Sequence, residues 1–234
     1  MKLNIDNLSH TYDIQVLNTL SLTLENYHSI ALIGVSGSGK STLLRLMAGL
    51  ETPSEGTLEI NDHSVKDDTY RRSVGMVFQS HSLFPHLTLL ENITLVLEKT
   101  RGIDKETARA TAMENLERLK LGDQWHKLPK NVSGGQAQRA SIARALSVDP
   151  SIMFLDEPTA SLDPILTDEV LTSVEDLKQL GKEFVFATHV LSFVRDFADY
   201  VIYMRDGDIV EHGTPDILDA PKTDAFKTFM SKVR

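Results

Sequence analysis

The run Gly34-Val35-Ser36-Gly37-Ser38-Gly39-Lys40-Ser41-Thr42 constrains this chain more than any other stretch. It fits the spacing G-x-x-x-x-G-K-[ST] and has the flanks that give that spacing its meaning. Ahead of it, Ser29-Ile30-Ala31-Leu32-Ile33 is long and apolar enough for a buried strand; behind it, Leu43, Leu44, Leu46, Met47 and Leu50 recur at helical spacing. A strand turning through glycines into a helix aims successive backbone N–H groups at one point. A Cβ on those glycines would hold the backbone away from an anion lodged there. Lys40 is placed to reach β- and γ-phosphates, and the Ser41 hydroxyl to ligate Mg2+. A flexible Gly/Ser turn would account for the letters but not for the strand and helix. The run is therefore expected to hold the phosphates of a nucleotide.

The bulk numbers narrow the classes. A chain of 234 residues suits one domain with room for a smaller subdomain. Its net charge of −9 argues against a broad nucleic-acid-binding face, so no nucleic-acid partner is expected. The absence of cysteine removes thiolate zinc sites, iron–sulfur clusters and disulfides. No apolar run approaches the ~18–20 residues that cross a bilayer. Met1-Lys2-Leu3-Asn4-Ile5 has no secretory apolar region. The expectation is a cytoplasmic chain whose membrane role, if it has one, comes through a partner.

Along the chain, residues 2–8 alternate weakly, with Leu3, Ile5 and Asn7 set against Asn4, Asp6 and Leu8. Val16–Leu24 reads as one or two strands, Thr57–Asp62 as a strand running into a turn, and Ser73–Phe78 as a buried strand ending at Gln79. From about Leu89 to Leu146 helical spacing dominates: Leu90–Lys99, then Lys105–Leu119 with Ala108, Ala112, Leu116 and Leu119 in register, then Gln136–Leu146. Afterwards strands and helices alternate again: Ile152–Leu155, Ile165–Leu180, Glu183–Ala187 and Leu191–Ala198. Val201–Met204 and Ile209–Glu211 flank Asp206-Gly207, a hairpin turn, and the tail from Pro215 reads as two short helices. The expected fold is α/β, a mostly parallel sheet covered on both faces, with residues 1–88 and 147–234 forming the β-containing core and 89–146 an inserted helical subdomain. Ligands of such a sheet sit at the carboxyl ends of its strands, where the Gly34–Ser41 loop falls.

Two further stretches carry chemistry. Ile152-Met153-Phe154-Leu155 is an apolar strand that ends in Asp156-Glu157. Asp156 fits the acid that holds Mg2+ in a phosphate-loop enzyme, and Glu157 could polarise a water for in-line attack on a γ-phosphate. By itself the pair could equally be an acidic helix cap. Ser133-Gly134-Gly135-Gln136 opens a helix that carries Arg139 and Arg144, a second anion-binding surface without a lysine or a magnesium ligand. A symmetric pair of chains could clamp each nucleotide between one phosphate loop and the other chain's Ser133–Gln136 run. A plain helix cap explains the same letters.

Together these residues resemble an ATP-binding cassette (ABC) ATPase. Phosphate loop, Gln79, the Ser-Gly-Gly-Gln run, the strand ending in Asp156-Glu157, Ser161-Leu162-Asp163 and His189 occur in that family's order over essentially the whole chain. Val132 and Ala137 depart from the usual leucine and glutamine or glutamate on either side of the signature. The resemblance implies a P-loop NTPase (RecA-like) core with an N-terminal antiparallel β subdomain. It implies ATP bound by Tyr12, Ser36 to Thr42, and Ser133, Gly134, Gly135 and Gln136, with Tyr12 stacking on adenine. Mg2+ would be held by Ser41, Gln79 and Asp156. Glu157, His189, Gln79 and Lys40 would be catalytic, with His189 contacting the γ-phosphate. Ser161 and Asp163 resemble the loop that links two sites across a dimer, and Ser82–Leu87 the region that receives a helix from a membrane subunit.

Gly75–Gln79, Leu83–Thr88 and the tail from Gly213 look most like importers of polar amino acids, while Leu46–Leu50 looks like a broader import group. The implied protein is an ATP-hydrolysing importer subunit at the cytoplasmic face of the membrane. Its implied partners are a second copy of itself, a transmembrane permease and, indirectly, a substrate-binding protein. An ABC ATPase for another cargo, by export or lipid extraction, is the alternative within that class. A soluble non-transport ABC ATPase and a small-molecule kinase are the alternatives outside it.

Overall fold

The structure, a computed structural model, describes residues 1–160 and 162–233. In chain order its first elements are β1 (Leu3–Thr11), β2 (Gln15–Leu24), β3 (Ser29–Gly34), α1 (Lys40–Met47), β4 (Glu55–Ile60), β5 (His63–Ser64), α2 (Asp68–Arg72) and β6 (Val74–Val77). There follow α3 (Leu89–Arg101), α4 (Lys105–Arg118), α5 (Gly134–Ser147), β7 (Ile152–Asp156) and α6 (Pro164–Lys178). The chain ends with β8 (Glu183–Ala187), α7 (Leu191–Phe197), β9 (Tyr200–Arg205), β10 (Asp208–Gly213) and α8 (Asp224–Val233). Two units result, one of Met1–Val74 with Glu183–Arg234 and the other of Gly75–Lys182.

The first unit holds two sheets. One is antiparallel, in the order β2-β1-β4-β5. Its first strand corrects the simple alternation expected from sequence. Asn7 adopts φ 47°, and the β1–β2 register shifts between Ile5 and Leu8. The extra residue turns Leu8 back to the face of Leu3 and Ile5, and all three are buried. Val16–Leu24 forms one strand rather than two. In the other sheet β3 runs parallel to β8 on one side and β9 on the other, and β10 closes the edge antiparallel to β9. Every residue of β3 is buried, as a central strand covered on both faces requires. Asp206 and Gly207, both at positive φ, turn β9 into β10 as the Asp-Gly pair predicts. The tail packs by aromatic contact: the ring of Phe226 stacks on Tyr203 at 4.6 Å, and that of Phe229 lies 5.1 Å from it.

The second unit pairs β6 with β7 and carries α3 to α6. The helical block begins and ends as its caps dictate. Thr88 and Glu91 close a capping box on α3, and Asp104 accepts from the N–H groups of Glu106 and Thr107 at the start of α4. Ala108, Ala112 and Leu116 face inward from α4 at the spacing expected. The five-residue α2 was not expected: a single turn is too short to show a period. The architecture is a RecA-like P-loop core with an antiparallel β subdomain and an inserted helical block, α3 to α5. No described helix is long and apolar enough to cross a membrane.

Candidate active site

The phosphate loop of the first unit is shaped by close approaches. A Cβ on Gly34 would lie 2.2 Å from the carbonyl oxygen of Met204, and one on Gly39 2.6 Å from a methyl of Leu17. Glycine at both positions lets the loop fold against β9 and β2. The tip of the β9–β10 hairpin seals it, since Gly207 N–H donates to the Ser38 carbonyl at 3.3 Å and Asn18 N–H to the Gly207 carbonyl at 3.0 Å. Lys40 opens α1 and is only 4% exposed. Its ammonium donates to the carbonyls of Gly34 at 2.9 Å and Val35 at 3.0 Å, which hold it curled under the loop.

The N-terminus of α1 is left ready for an anion. Gly39 caps it in the left-handed region without a side-chain bond, and no acid sits in the first turn to answer the positive end of the helix. The Ser38 hydroxyl is buried with no hydrogen-bond partner, an orphan that a phosphate oxygen would satisfy. A Cβ on Gly37 would meet no protein atom within 4 Å, so the outer arc of the loop, with Ser36 beside it, borders open space. These observations fit a polyphosphate. Ser41 is half-buried and Thr42 buried on the first turn of α1.

Two more expected residues lie in this unit. Tyr12 stands on the β1–β2 turn, 51% exposed, with its hydroxyl donating to the Glu51 carboxylate and its ring edge-on to His10 at 4.6 Å. Burial, and then the carboxylate beside it, hold the phenol above its ordinary pKa. His189 follows β8 and is exposed. Because β8 runs parallel to β3 with Ala187 opposite Leu32, His189 and the phosphate loop leave the same end of the sheet.

In the second unit, β7 is buried throughout and delivers Asp156 at its end, 2% exposed. Glu157, partly exposed, takes φ 44°. A branchless backbone would adopt that conformation freely; a glutamate there is held against a small steric cost, as residues at functional sites often are. Gln79, two residues past β6, is exposed. Within this unit, the carboxylate of Asp156 and the amide oxygen of Gln79 are hard oxygen donors of the kind Mg2+ takes. Among the described residues no group of three His, Cys, Asp or Glu could build a closed metal cage instead.

The Ser133–Gln136 run is a capped helix start. Gln136 N–H donates to the Ser133 hydroxyl at 3.1 Å, and Ser133 N–H donates to the Gln136 side-chain oxygen at 3.0 Å. Its two glycines answer to packing, for a Cβ on Gly134 would lie 3.0 Å from Leu162 and one on Gly135 3.1 Å from Leu166. Asp163 caps α6 by accepting from Ile165 and Leu166 N–H, both at 3.0 Å. Ser161 lies outside the described residues.

Sequence reading missed the residues that anchor the loop around Gln79. Gln138 on α5 is fully buried; its amide nitrogen donates to the Phe78 carbonyl at 3.5 Å, and its oxygen faces His81 Nδ1 at 2.5 Å. With the amide oxygen as acceptor, His81 must be the donor. Arg144 donates to the Ser82 carbonyl at 2.7 Å, and burial lowers its pKa. Fully buried Asn92 accepts from Phe84 N–H at 2.7 Å and donates to the carbonyls of Phe84, Leu87 and Thr88. A glutamine and an asparagine interrupting the apolar faces of two helices were the available signal.

A family model described as ABC transporter matches residues 17–160. The chain is 43% identical to the glutamate transport ATP-binding protein GluA of Corynebacterium efficiens over 94% of each chain. It is 39% identical to the arginine transport ATP-binding protein ArtP of Haemophilus influenzae over 99% of this chain and 100% of that one. Among solved structures, a dimeric post-hydrolysis state of the ATP-binding cassette MJ0796 bound to ADP and Pi superposes with a TM-score of 0.81 at 33% identity, covering 91% of this chain and 98% of that one. This chain belongs to the ABC transporter family, as an ATP-binding subunit related to the ATP-binding proteins of polar amino acid importers.

Proposed function

We propose that this chain is the ATPase of an importer for polar amino acids, and that two copies close around two ATP to drive a permease. One observation carries the ATPase role: α1 begins without a side-chain cap, over a buried lysine and an orphaned serine hydroxyl, as suits a site for a triphosphate. The relatives named for glutamate and arginine transport support the cargo class.

Lys40, the α1 amides and Ser38 bind the phosphates, with Ser36, Gly37, Gly39 and Thr42 framing the loop and Tyr12 stacking on the base. Ser41, Gln79 and Asp156 would be the oxygen donors that hold Mg2+, which would supply positive charge against the negative charge developing on the phosphoryl oxygens. Glu157 takes a proton from the attacking water as its oxygen bonds to the γ-phosphorus. The bond to the β–γ bridging oxygen breaks, and ADP and phosphate leave. His189 and Gln79 orient the γ-phosphate and the water. The partner's Ser133–Gln136 run completes each cage, and Asp163, with Ser161, relates the two sites.

The cassette acts from the cytoplasmic face of the membrane, peripherally, through a permease seated near Ser82–Leu87; a substrate-binding protein delivers the cargo to that permease. Glu157→Gln is expected to leave ATP binding intact, lower turnover by about 10²–10⁴ and trap an ATP-dependent dimer on size exclusion. Native turnover by that variant would remove the base assignment. Co-purification with an integral membrane protein tests the transport role; co-sedimentation with ribosomes would favour a soluble non-transport ATPase.

A further inference from the structure

Tyr12 sits on a short turn whose own backbone bond, Tyr12 N–H to the Ile14 carbonyl at 3.0 Å, leaves the side chain free to choose among rotamers. Something else must fix the ring. Its hydroxyl donates to Glu51, and its edge meets His10 at an interplanar angle of 89°. Glu51 lies just beyond α1, where Gly49 and Leu50 N–H groups still bond to carbonyls of that helix. Arg45 of α1 approaches the other oxygen of Glu51 at 3.7 Å, and Nε2 of buried His10 approaches the first at 3.4 Å. The ring is thus tied to the far end of the helix whose near end is the phosphate loop.

We propose that Glu51 is a positioning residue that acts through the Tyr12 hydroxyl to hold the ring ready for a nucleotide base, so that base grip and phosphate grip ride on one helix. The inference rests on the stacking role proposed for Tyr12. A ring ordered before binding spares the ligand the entropy of ordering it. The benefit falls on ligands that carry a base and not on a bare polyphosphate.

The test measures binding of ATP and of inorganic tripolyphosphate by titration calorimetry, in EDTA so that nothing is hydrolysed. Glu51→Ala and Tyr12→Phe should each weaken ATP by about three- to tenfold and leave tripolyphosphate unchanged. The double variant should lose no more than Tyr12→Phe alone, because that change already removes the bond to Glu51 together with the bond the Tyr12 hydroxyl makes with Thr42. Glu51→Gln keeps an acceptor oxygen and should restore ATP binding. Equal losses for both ligands, additive losses, or native ATP binding by Glu51→Ala while Tyr12→Ala weakens it, would each overturn the positioning role and leave stacking standing. If Tyr12→Ala bound ATP as the native chain does, the stacking role itself would fall and the inference with it. Tyr12→Phe keeps the ring on an exposed turn, so the result does not hang on whether Glu51→Ala folds.

Discussion

Two glycine-bearing helix starts, at α1 and at α5, look alike as letters and differ in what they leave unspent. Neither has an acid in its first turn. At α1 the cap is a bare glycine, a lysine is buried beneath the loop, and a serine hydroxyl has no partner. At α5 serine and glutamine spend their side chains on each other's backbone amides. A start capped only by glycine offers amides, dipole and a fixed cation to an anion; a self-capped start offers little until the anion is presented by something else. On the proposed function, the first is expected to bind a nucleotide alone, and the second to finish a cage around one already bound.

The harshest challenge to this contrast is Lys40→Ala. It should lower phosphate release by about 10³-fold, on the scale of losing one preorganised charge, with ATP affinity falling as well. Near-native turnover would mean that α1 is not the primary site. At α5, Ser133→Ala should cost about 1 kcal/mol in denaturant unfolding, the worth of a cap, and lower turnover while leaving the isolated chain's ATP affinity untouched. A fall in that affinity would show the two starts to be equivalent.

Gln138→Leu strips the anchor from the Phe78 carbonyl and from His81, leaving half-buried polar groups unmatched. It should destabilise by about 1–3 kcal/mol and reduce turnover more than ATP binding, since Gln79 lies between the anchored residues. Smallest is a pH effect that separates two capping boxes. The Thr88 backbone N–H, then its hydroxyl, holds the Glu91 carboxyl of α3 below the usual carboxylate range, whereas α5 closes its box with an amide. A depressed folded pKa gives stability that is present above the unfolded carboxylate pKa and lost as pH falls through the folded one. The melting difference between the native chain and Glu91→Gln should therefore shrink as the solution is acidified through that range. A Gln136→Ala difference should stay flat over the same range.

Much of this could be read in advance because the signals were local. The phosphate loop declares itself by spacing, the Asp206-Gly207 hairpin by two residues that tolerate positive φ, and α4 by alanines and leucines every three or four positions. Other features had no local signal. The bulge at Asn7 depends on how β1 registers against its neighbours, and α2 is too short for a period to emerge. That Glu157 leaves its strand at positive φ follows from the packing around it.

The sequence by itself determined the chemistry available: a lysine and glycines at the end of a strand, two carboxylates at the end of another, and a serine–glycine pair at a third turn. These choices are legible because backbone geometry and donor type act over a few residues. Only the tertiary structure decided which of those groups are already occupied. Gly34 must be glycine because the Met204 carbonyl, 170 residues away, crowds it; Tyr12 is aimed by Glu51; Gln138 pins a loop sixty residues upstream. Contacts between distant parts of a chain are fixed by the packing of the whole unit, and no window of letters contains them.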